Sequence, residues 1–496
     1  MEAWMPGAPR CVVNIVLMEA MERFAYYGFR AILARYFTEV LGFDETWAIA
    51  AFSFTSAIAY TSPVGGAWLA DGLLGKYRTI VVLGSVYAVG LWGLVWSAYA
   101  ASVGGSACAL LLVGVGTGGI KPCVSAFGAD QFRGENSAAL RRYFAVFYAA
   151  INVGSVASFV LTPLVRARFG YAAAFSLPAT LVVCALASFV AARKSYYVVR
   201  KDTTVCTTLR LVVDPTSRGG DDAAALRRVF GILATLPVFW ALFDQQGSVW
   251  VMQAKDMRTG GLQPEQLGVF NPLFVLALLP FFEKVAYPSL EKRLGRPVTA
   301  PRRMAAGMAF ASASFFAAAI VEAALPLYIL WQLPQIFLIT VAEILVSVTG
   351  LEYSYRAAPP KFKSLVQSAF LLTTALGDLF DGILYAALGS TASRAAFMIL
   401  CASLMLANLA LFARVAAALT DQPLFFQIPV RAGSPRPLTT RDDDHDLDDD
   451  DDDDDDQDQN QDQDQDQDQD RRRRHRGQDE DCMASSAGPP LDVALV

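Results

Sequence analysis

Twelve apolar segments, each long enough to cross a lipid bilayer, constrain the fold of this chain more than any other feature. A membrane-spanning helix needs about 20 mostly apolar residues, because its backbone must satisfy its own hydrogen bonds in the hydrocarbon core. By hydrophobicity, the segments lie at residues 11–36, 47–71, 79–101, 107–128, 143–163, 171–192, 229–250, 267–290, 304–324, 326–351, 364–389 and 393–419. We therefore predict an all-α membrane protein, which agrees with a chain that is 54% hydrophobic and 18% charged.

The basic residues between these segments predict the orientation of the chain. With the N-terminus inside, the inner loops carry 22 Lys and Arg and the outer loops carry five. Since basic residues favour cytoplasmic loops, both termini are predicted to lie in the cytoplasm. The plasma membrane is the expected location, and an acidic organelle remains open.

The longest inner loop divides the segments six and six. We predict an N-terminal six-helix half at residues 1–192, a cytoplasmic linker at 193–227 and a C-terminal six-helix half at 228–419. Two such halves are typical of secondary transporters, although a channel or a membrane enzyme could also have twelve helices. Residues 420–496 contain 24 Asp and Glu and eight Arg. This acidic tail lacks an apolar face, and we predict that it is disordered and cytoplasmic.

The positions of histidine and cysteine argue against an enzyme. The two histidines, His445 and His475, are both in the acidic tail, and the seven cysteines form no CxxC or other metal-binding spacing. Proton chemistry within the membrane must therefore use carboxylates. We expect no cofactor, with protons as the coupling ion, contact with membrane lipid and no nucleic-acid partner. The oligomeric state stays open.

Ionisable residues within the apolar segments are candidates for function, because each costs about 2.5–3.5 kcal/mol to insert. The first segment contains the densest set: Glu19, Glu22, Arg23, Tyr26, Tyr27 and Arg30. Glu19 and Arg23 are four residues apart and are predicted to pair on one helical face, which leaves another acid free to titrate. A buried ion cluster that only ties helices together is the alternative.

Other segments contribute single polar groups: Lys121, Asn152, Asp244, Asn271, Glu343 and Glu352. We interpret the glycines at residues 116–119 as a surface for close helix packing and not as a phosphate loop, because no strand precedes them. Arg30 and Lys121 give the N-terminal half positive groups, and Glu343 gives the C-terminal half a negative one. If they face one cavity, its two poles fit a zwitterion with a carboxylate and an ammonium.

Several motifs resemble the proton-dependent oligopeptide transporter family of the major facilitator superfamily. Residues 19–23 (EAMER) match its ExxER motif, and residues 66–80 and 147–155 resemble its two signatures. The stretches GTGGIKPCVSAFGADQF, FWALFDQQGS and SVTGLEYSY resemble the animal peptide transporters in particular. The resemblance covers about residues 11–418. It implies the major facilitator fold and proton-coupled symport of small peptides, di- and tripeptides, by alternating access.

The resemblance also implies roles for individual residues. Those for proton coupling are Glu19, Glu22, Arg23 and Asp244. Those for substrate binding are Arg30 and Lys121 at the peptide carboxylate, Glu343 at its amino terminus, Asn152 and Asn271 at its backbone, and Tyr26, Tyr27 and Trp240 as cavity lining. Arg228 and Glu283 match a gating pair toward the cytoplasmic side.

Two departures from the family pattern qualify these expectations. Animal relatives have a histidine in the second segment, where this chain has Ser53, so their full proton route does not carry over. They also have a large extracellular domain where residues 322–326 leave room only for a turn. The same fold carrying nitrate, histidine or another metabolite is the alternative, as is a transport-inactive sensor. Glu343 favours a substrate that bears an ammonium group.

Overall fold

The computed structural model describes residues 9, 11–132, 137–198, 220–295, 298–359 and 363–420. The acidic tail and most of the linker lie outside the described residues. Those described are almost wholly helical, with one isolated bridge between Arg258 and Tyr328. This architecture confirms the all-α prediction.

The N-terminal half contains the first six helices. They are α1 (Val12–Glu39), α2 (Glu45–Trp68, with a π-helical extension Leu69–Leu74), α3 (Lys76–Ala100), α4 (Val103–Ala129), and α5 and α6 within Ser137–Ala191. Asp44 and Ser102 cap α2 and α4, since each side chain accepts a hydrogen bond from a backbone N–H in the first turn. Gly170 separates α5 from α6 with a φ of 83°, which glycine adopts without a steric cost.

The C-terminal half contains six more helices, several of them interrupted. They are α7 (Gly220–Leu233, Leu236–Phe243, Asp244–Gly247, Val249–Lys255), α8 (Pro264–Val269, Phe270–Phe281, Phe282–Ala286, Tyr287–Leu294), α9 (Ala300–Ala323), α10 (Ile329–Gln332, Leu333–Glu343, Ile344–Val348, Thr349–Ala357), α11 (Lys363–Leu388) and α12 (Arg394–Thr420). Asp244 begins a 3-10 turn in α7, and Glu343 ends a regular part of α10. Such interruptions are common at the binding sites of transporters.

The described helices correspond to the twelve predicted segments. Nine stretches of the described chain are long and apolar enough to cross a membrane, and one of these, Val146–Ala191, contains both α5 and α6. The other two are α1, which carries six charged residues, and α2, which is rich in Ser, Thr and Gly. The chain is an integral membrane protein. Helix α7 begins at Gly220, inside the predicted linker.

Glycines bring α4 into close contact with α2 and α3. A Cβ on Gly119 or on Gly66 would meet the other helix, because the two glycines pack backbone to backbone. A Cβ on Gly116 would collide with the backbone of Tyr87 in α3. The glycine run is therefore a packing surface, as the sequence predicted.

The buried apolar residues form two clusters that follow the six-and-six division. One consists of α1–α6 residues together with Met252, and the other of α7–α12 residues together with Ile49 and Ala50. The exact domain boundaries stay predictions. Residues 324–328 connect α9 to α10, which is the short turn expected there.

Candidate functional site

A cavity of about 1490 Å³, part of it open to solvent, lies between the two halves. Its walls come from α1, α2 and α5 on one side and from α7, α8, α10 and α11 on the other. Seven of the predicted site residues line it: Tyr27, Arg30, Asn152, Trp240, Asp244, Asn271 and Glu343. The structure brings these seven residues to one cavity, and their roles there stay predictions.

Arg30 and Asp244 form an ion pair between the halves. The distance from Arg30 Nη2 to Asp244 Oδ2 is 2.7 Å, and the two side chains are only 15% and 3% exposed. Arg30 Nε also donates to Ser56 Oγ at 3.3 Å, and the guanidinium lies 4.8 Å from the centroid of the Phe52 ring. The arginine expected to bind a carboxylate of the substrate is thus neutralised here by a carboxylate of the protein.

Glu343 lies in the C-terminal wall and is oriented by an amide. Asn271 Nδ2 donates to Glu343 Oε2 at 2.8 Å and to Thr340 Oγ1 at 3.1 Å. No lysine or arginine of the described ranges forms an ion pair with Glu343. This carboxyl group can therefore receive a cation from the cavity.

Glu19, Glu22 and Arg23 form a buried cluster on α1, outside the cavity lining. Arg23 Nε lies 3.1 Å from Glu19 Oε1, and Arg23 Nη2 lies 2.5 Å from Glu22 Oε2. Thr117 Oγ1 of α4 donates to Glu22 Oε1 at 2.7 Å. The predicted Glu19–Arg23 pair is present, and the expectation that a second acid is free to titrate stays a prediction. The adjacent Glu22 side chain reaches the same guanidinium, so two acids share one base.

Lys121 and Tyr26 lie behind the cavity wall. The Lys121 Nζ is 4.2 Å from the centroid of the Tyr26 ring and 4.0 Å from that of Tyr60, which lines the cavity. It is buried, and no hydrogen-bond partner for it occurs in the part of the chain that the structure describes. Lys121 thus contacts Tyr60, which lines the cavity, but it is not one of the lining residues as Arg30 is.

The other predicted lining residues are fixed by local contacts. Asn152 Nδ2 donates to the Tyr148 carbonyl at 2.9 Å, and Trp240 Nε1 donates to Thr373 Oγ1 at 3.1 Å. The Tyr27 ring packs against Phe159, with 5.9 Å between centroids. These contacts hold the side chains while leaving surface toward the cavity.

Two buried aspartates of α11 join this polar group and were absent from the predicted set. Asp381 accepts hydrogen bonds from Ser53 Oγ at 2.6 Å and from Gln245 Nε2 at 2.8 Å. Asp378 lies on α11 between two contacts with α7, that of Thr373 with Trp240 and that of Asp381 with Gln245, and it interacts electrostatically with Asp244. The signal that identified Glu343, an acid in an apolar segment without a nearby base, also applies to both aspartates.

Ion pairs also join the halves at one end of the cavity. Glu265 of α8 lies 3.1 Å from Arg35 of α1 and 3.1 Å from Arg166 of α5. Arg394 of α12 contacts Glu45 of α2 at 2.7 Å. These contacts were missed because each unites helix ends that are far apart in the sequence.

Of the predicted gating residues, Arg228 lies in the first part of α7 and Glu283 in the second half of α8. Arg228 is half-buried near the start of α7, and Glu283 is exposed in the π-helical part of α8. Their pairing stays a prediction.

Comparisons with known proteins agree with the family resemblance and the fold. The sequence model of the POT family matches residues 77–213 and 204–399. Peptide transporter family 2 of Caenorhabditis elegans is 36% identical over 372 residues, which is 63% of this chain and 47% of the relative. Solute carrier family 15 member 1 of Homo sapiens is 35% identical over 370 residues, covering 64% and 52%. The chain thus spans about half the length of the curated relatives it matches.

Solved structures confirm the predicted major facilitator fold. The crystal structure of the POT family transporter PepTSo aligns with a TM-score of 0.78 and 28% identity, over 84% of this chain and 99% of that chain. That of an auto inhibited POT family peptide transporter aligns with a TM-score of 0.76 and 29% identity, over 82% and 97%.

Proposed function

The chain belongs to the POT family, and from this premise we propose that it carries di- and tripeptides across a membrane in symport with protons. It is a transporter and not an enzyme in this proposal. The observation that carries the proposal is one cavity with Arg30 in its N-terminal wall and Glu343 in its C-terminal wall. A peptide is a zwitterion whose two charged ends fit these two poles.

Each pole suits one end of a peptide. The Arg30 guanidinium offers a planar set of donors that matches a carboxylate. Glu343, oriented by Asn271, offers an acceptor for the peptide ammonium. Asn152 supports backbone hydrogen bonding, and Tyr27 and Trp240 provide apolar surface that tolerates different side chains.

Arg30 couples proton binding to peptide binding. Asp244 holds Arg30 in the empty carrier, so a peptide carboxylate must compete with Asp244 for the same guanidinium. Protonation of Asp244 removes this competitor, and proton binding therefore favours peptide binding. Glu19 and Glu22, which share Arg23, are a second place for proton exchange.

Alternating access moves the cavity from one side of the membrane to the other. The contacts of Glu265 and Arg394 close one end, which is the outer end in the orientation predicted from the basic loops. We assign Arg228 and Glu283 to the inner gate. We also propose that both termini are cytoplasmic and that the protein resides in the plasma membrane, in contact with its lipids. Protons are the coupling ion in this proposal, and transport uses no cofactor.

The experiment that tests this function uses purified protein in liposomes. Uptake of a labelled dipeptide is followed with an acidic exterior, with no gradient, and with a gradient plus a protonophore. We expect accumulation only with the intact gradient, and competition by di- and tripeptides but not by nitrate or free histidine. Folded, inserted protein that accumulates nitrate or histidine instead would overturn the peptide assignment.

A further inference from the structure

Asp378 of α11 is the least satisfied acid in the described part of the chain. It is 0% exposed, and neither of its carboxyl oxygens receives a hydrogen bond from any described donor. It meets Asp244 of α7, itself 4% exposed, at the α7–α11 interface, which the Trp240–Thr373 and Gln245–Asp381 hydrogen bonds fix on either side of the two acids. Two ionised carboxylates have no hydrogen to share, so this contact is satisfied only if one of them is protonated.

Backbone packing holds the two acids together. Gly377 precedes Asp378, and a Cβ there would lie only 2.5 Å from the Pro237 carbonyl and 2.9 Å from the Ala241 backbone nitrogen. The absence of a side chain lets α11 lie directly on α7. The backbones that carry Asp378 and Asp244 are therefore held in close contact.

The charged groups around Asp378 leave an excess of acids. Arg30 of α1 contacts Asp244, and Asp381 lies one turn further along α11, where Ser53 of α2 and Gln245 of α7 hold it. The other titratable groups that interact with these acids are Tyr26 of α1, Tyr60 of α2, Lys121 of α4, Glu343 of α10, Tyr385 of α11 and Cys401 of α12. Lys121 packs on the Tyr26 and Tyr60 rings, so among the bases that the structure describes only Arg30 forms an ion pair with one of these acids. Three buried carboxyls against one guanidinium favour the uptake of protons.

We propose that Asp378 and Asp244 form a carboxyl pair that binds a shared proton, and that this pair is a proton-carrying site of the transport cycle. The proton rests between the two carboxyls when the carrier is loaded, and it leaves to water when the cavity opens inward. While it is bound, Asp244 holds Arg30 less strongly, and the guanidinium turns to the peptide carboxylate. The assignment to a transport cycle rests on the proposed function.

The test compares Asp378→Asn with Asp381→Asn, its matched control on the same helix. The asparagine at 378 has the shape of the acid and can donate to Asp244 without any proton. In liposomes we expect Asp378→Asn to keep exchange of labelled for unlabelled dipeptide but to lose gradient-driven accumulation at least about fivefold. Asp381→Asn is expected to accumulate more peptide than Asp378→Asn, because its acid is already satisfied by two donors. Accumulation by Asp378→Asn equal to wild type, or loss of its exchange as well, would overturn the proposal.

A second measurement needs no substrate and separates the two proposals. Infrared difference spectra of the empty proteins, recorded between neutral and acidic pH, report the protonation of carboxyl groups directly. We expect a protonated-carboxyl C=O band in the wild type that is missing in Asp378→Asn. Identical spectra overturn the carboxyl pair even if peptide transport is established. A missing band supports the pair even if the wild type carries a different substrate.

Discussion

In the proposed cycle, Arg30 interacts both with Asp244, which binds the proton, and with the carboxylate of the peptide. Its guanidinium is bound by Asp244 and Ser56 and lies over Phe52, so it is nearly buried before any substrate arrives. Removing one partner of a buried ion pair leaves an uncompensated charge and costs about 3–5 kcal/mol. A proton on Asp244 and a carboxylate from the peptide are therefore most favourable together.

Glu343 is expected to select substrates by their amino terminus. Glu343→Gln removes the charge that pairs with the ammonium, and we expect a roughly 10- to 100-fold loss of affinity for a free dipeptide. An N-acetylated dipeptide lacks the ammonium, so its weaker binding should change little between wild type and variant. Competition against a labelled dipeptide measures both, and an equal loss for the two ligands would contradict the pairing.

Glu22 is expected to affect coupling more than binding. Glu22→Gln keeps the hydrogen bond with Thr117 but removes one of the two acids on Arg23. We predict that peptide exchange persists while gradient-driven accumulation falls at least about fivefold. Liposome uptake with and without a proton gradient measures the two rates. A variant that still concentrates peptide against a gradient would remove Glu22 from the proton route.

At the scale of helices, small residues set the distances on which the site depends. Gly119 and Gly66 let α4 approach α2, and Gly377 lets α11 approach α7. Association of helices in lipid relies on such packing, because lipid tails are as apolar as the side chains they contact. The same approach places Lys121 behind Tyr60 and Asp378 beside Asp244.

Two glycines of α4 provide a matched test of this packing. Gly119→Leu inserts a side chain where Leu83 and the Gly66 backbone already lie, so we expect destabilisation of about 1–3 kcal/mol or more. Gly104→Leu is the control, since a Cβ there meets nothing within 4 Å. Thermal unfolding in detergent, monitored by size-exclusion chromatography, should show a lower midpoint temperature for Gly119→Leu only. Equal midpoints would contradict a packing role.

At the scale of the whole molecule, contacts between the halves determine which end of the cavity is closed. Arg35, Arg166 and Glu265 join α1 and α5 to α8, and Arg394 joins α12 to α2. These ion pairs between the halves must break when this end of the cavity opens. Their strength therefore sets part of the balance between the two access states.

Arg35→Gln is expected to shift this balance toward the open end. A cysteine at Ser155, which lines the cavity, reports access when Cys108 and Cys184 are replaced by Ser. We predict that an impermeant maleimide added outside labels it at least about threefold faster in Arg35→Gln than in the parent. The control is Lys76→Gln, which breaks the 2.7 Å pair with Asp130 within one half. Equal labelling in all three proteins would exclude a gating role for Arg35.

The sequence alone determined the number of helices and the family, and it singled out seven of the residues that line the cavity. Hydrophobicity and charge are local properties of a segment, so the acids and bases that stand in apolar helices could be found without coordinates. Asp378 and Asp381 carried the same signal and were missed because no family motif drew attention to them.

Only the tertiary structure decided which of these groups meet. It places Asp244 on Arg30, Glu22 beside Glu19 on one guanidinium, and Lys121 behind Tyr60. Sequence spacing cannot fix these contacts, because they depend on how each helix is rotated about its axis and how closely small residues let it approach its neighbours. The proposed carboxyl pair joins positions 134 residues apart, and only the packing of α11 on α7 brings them together.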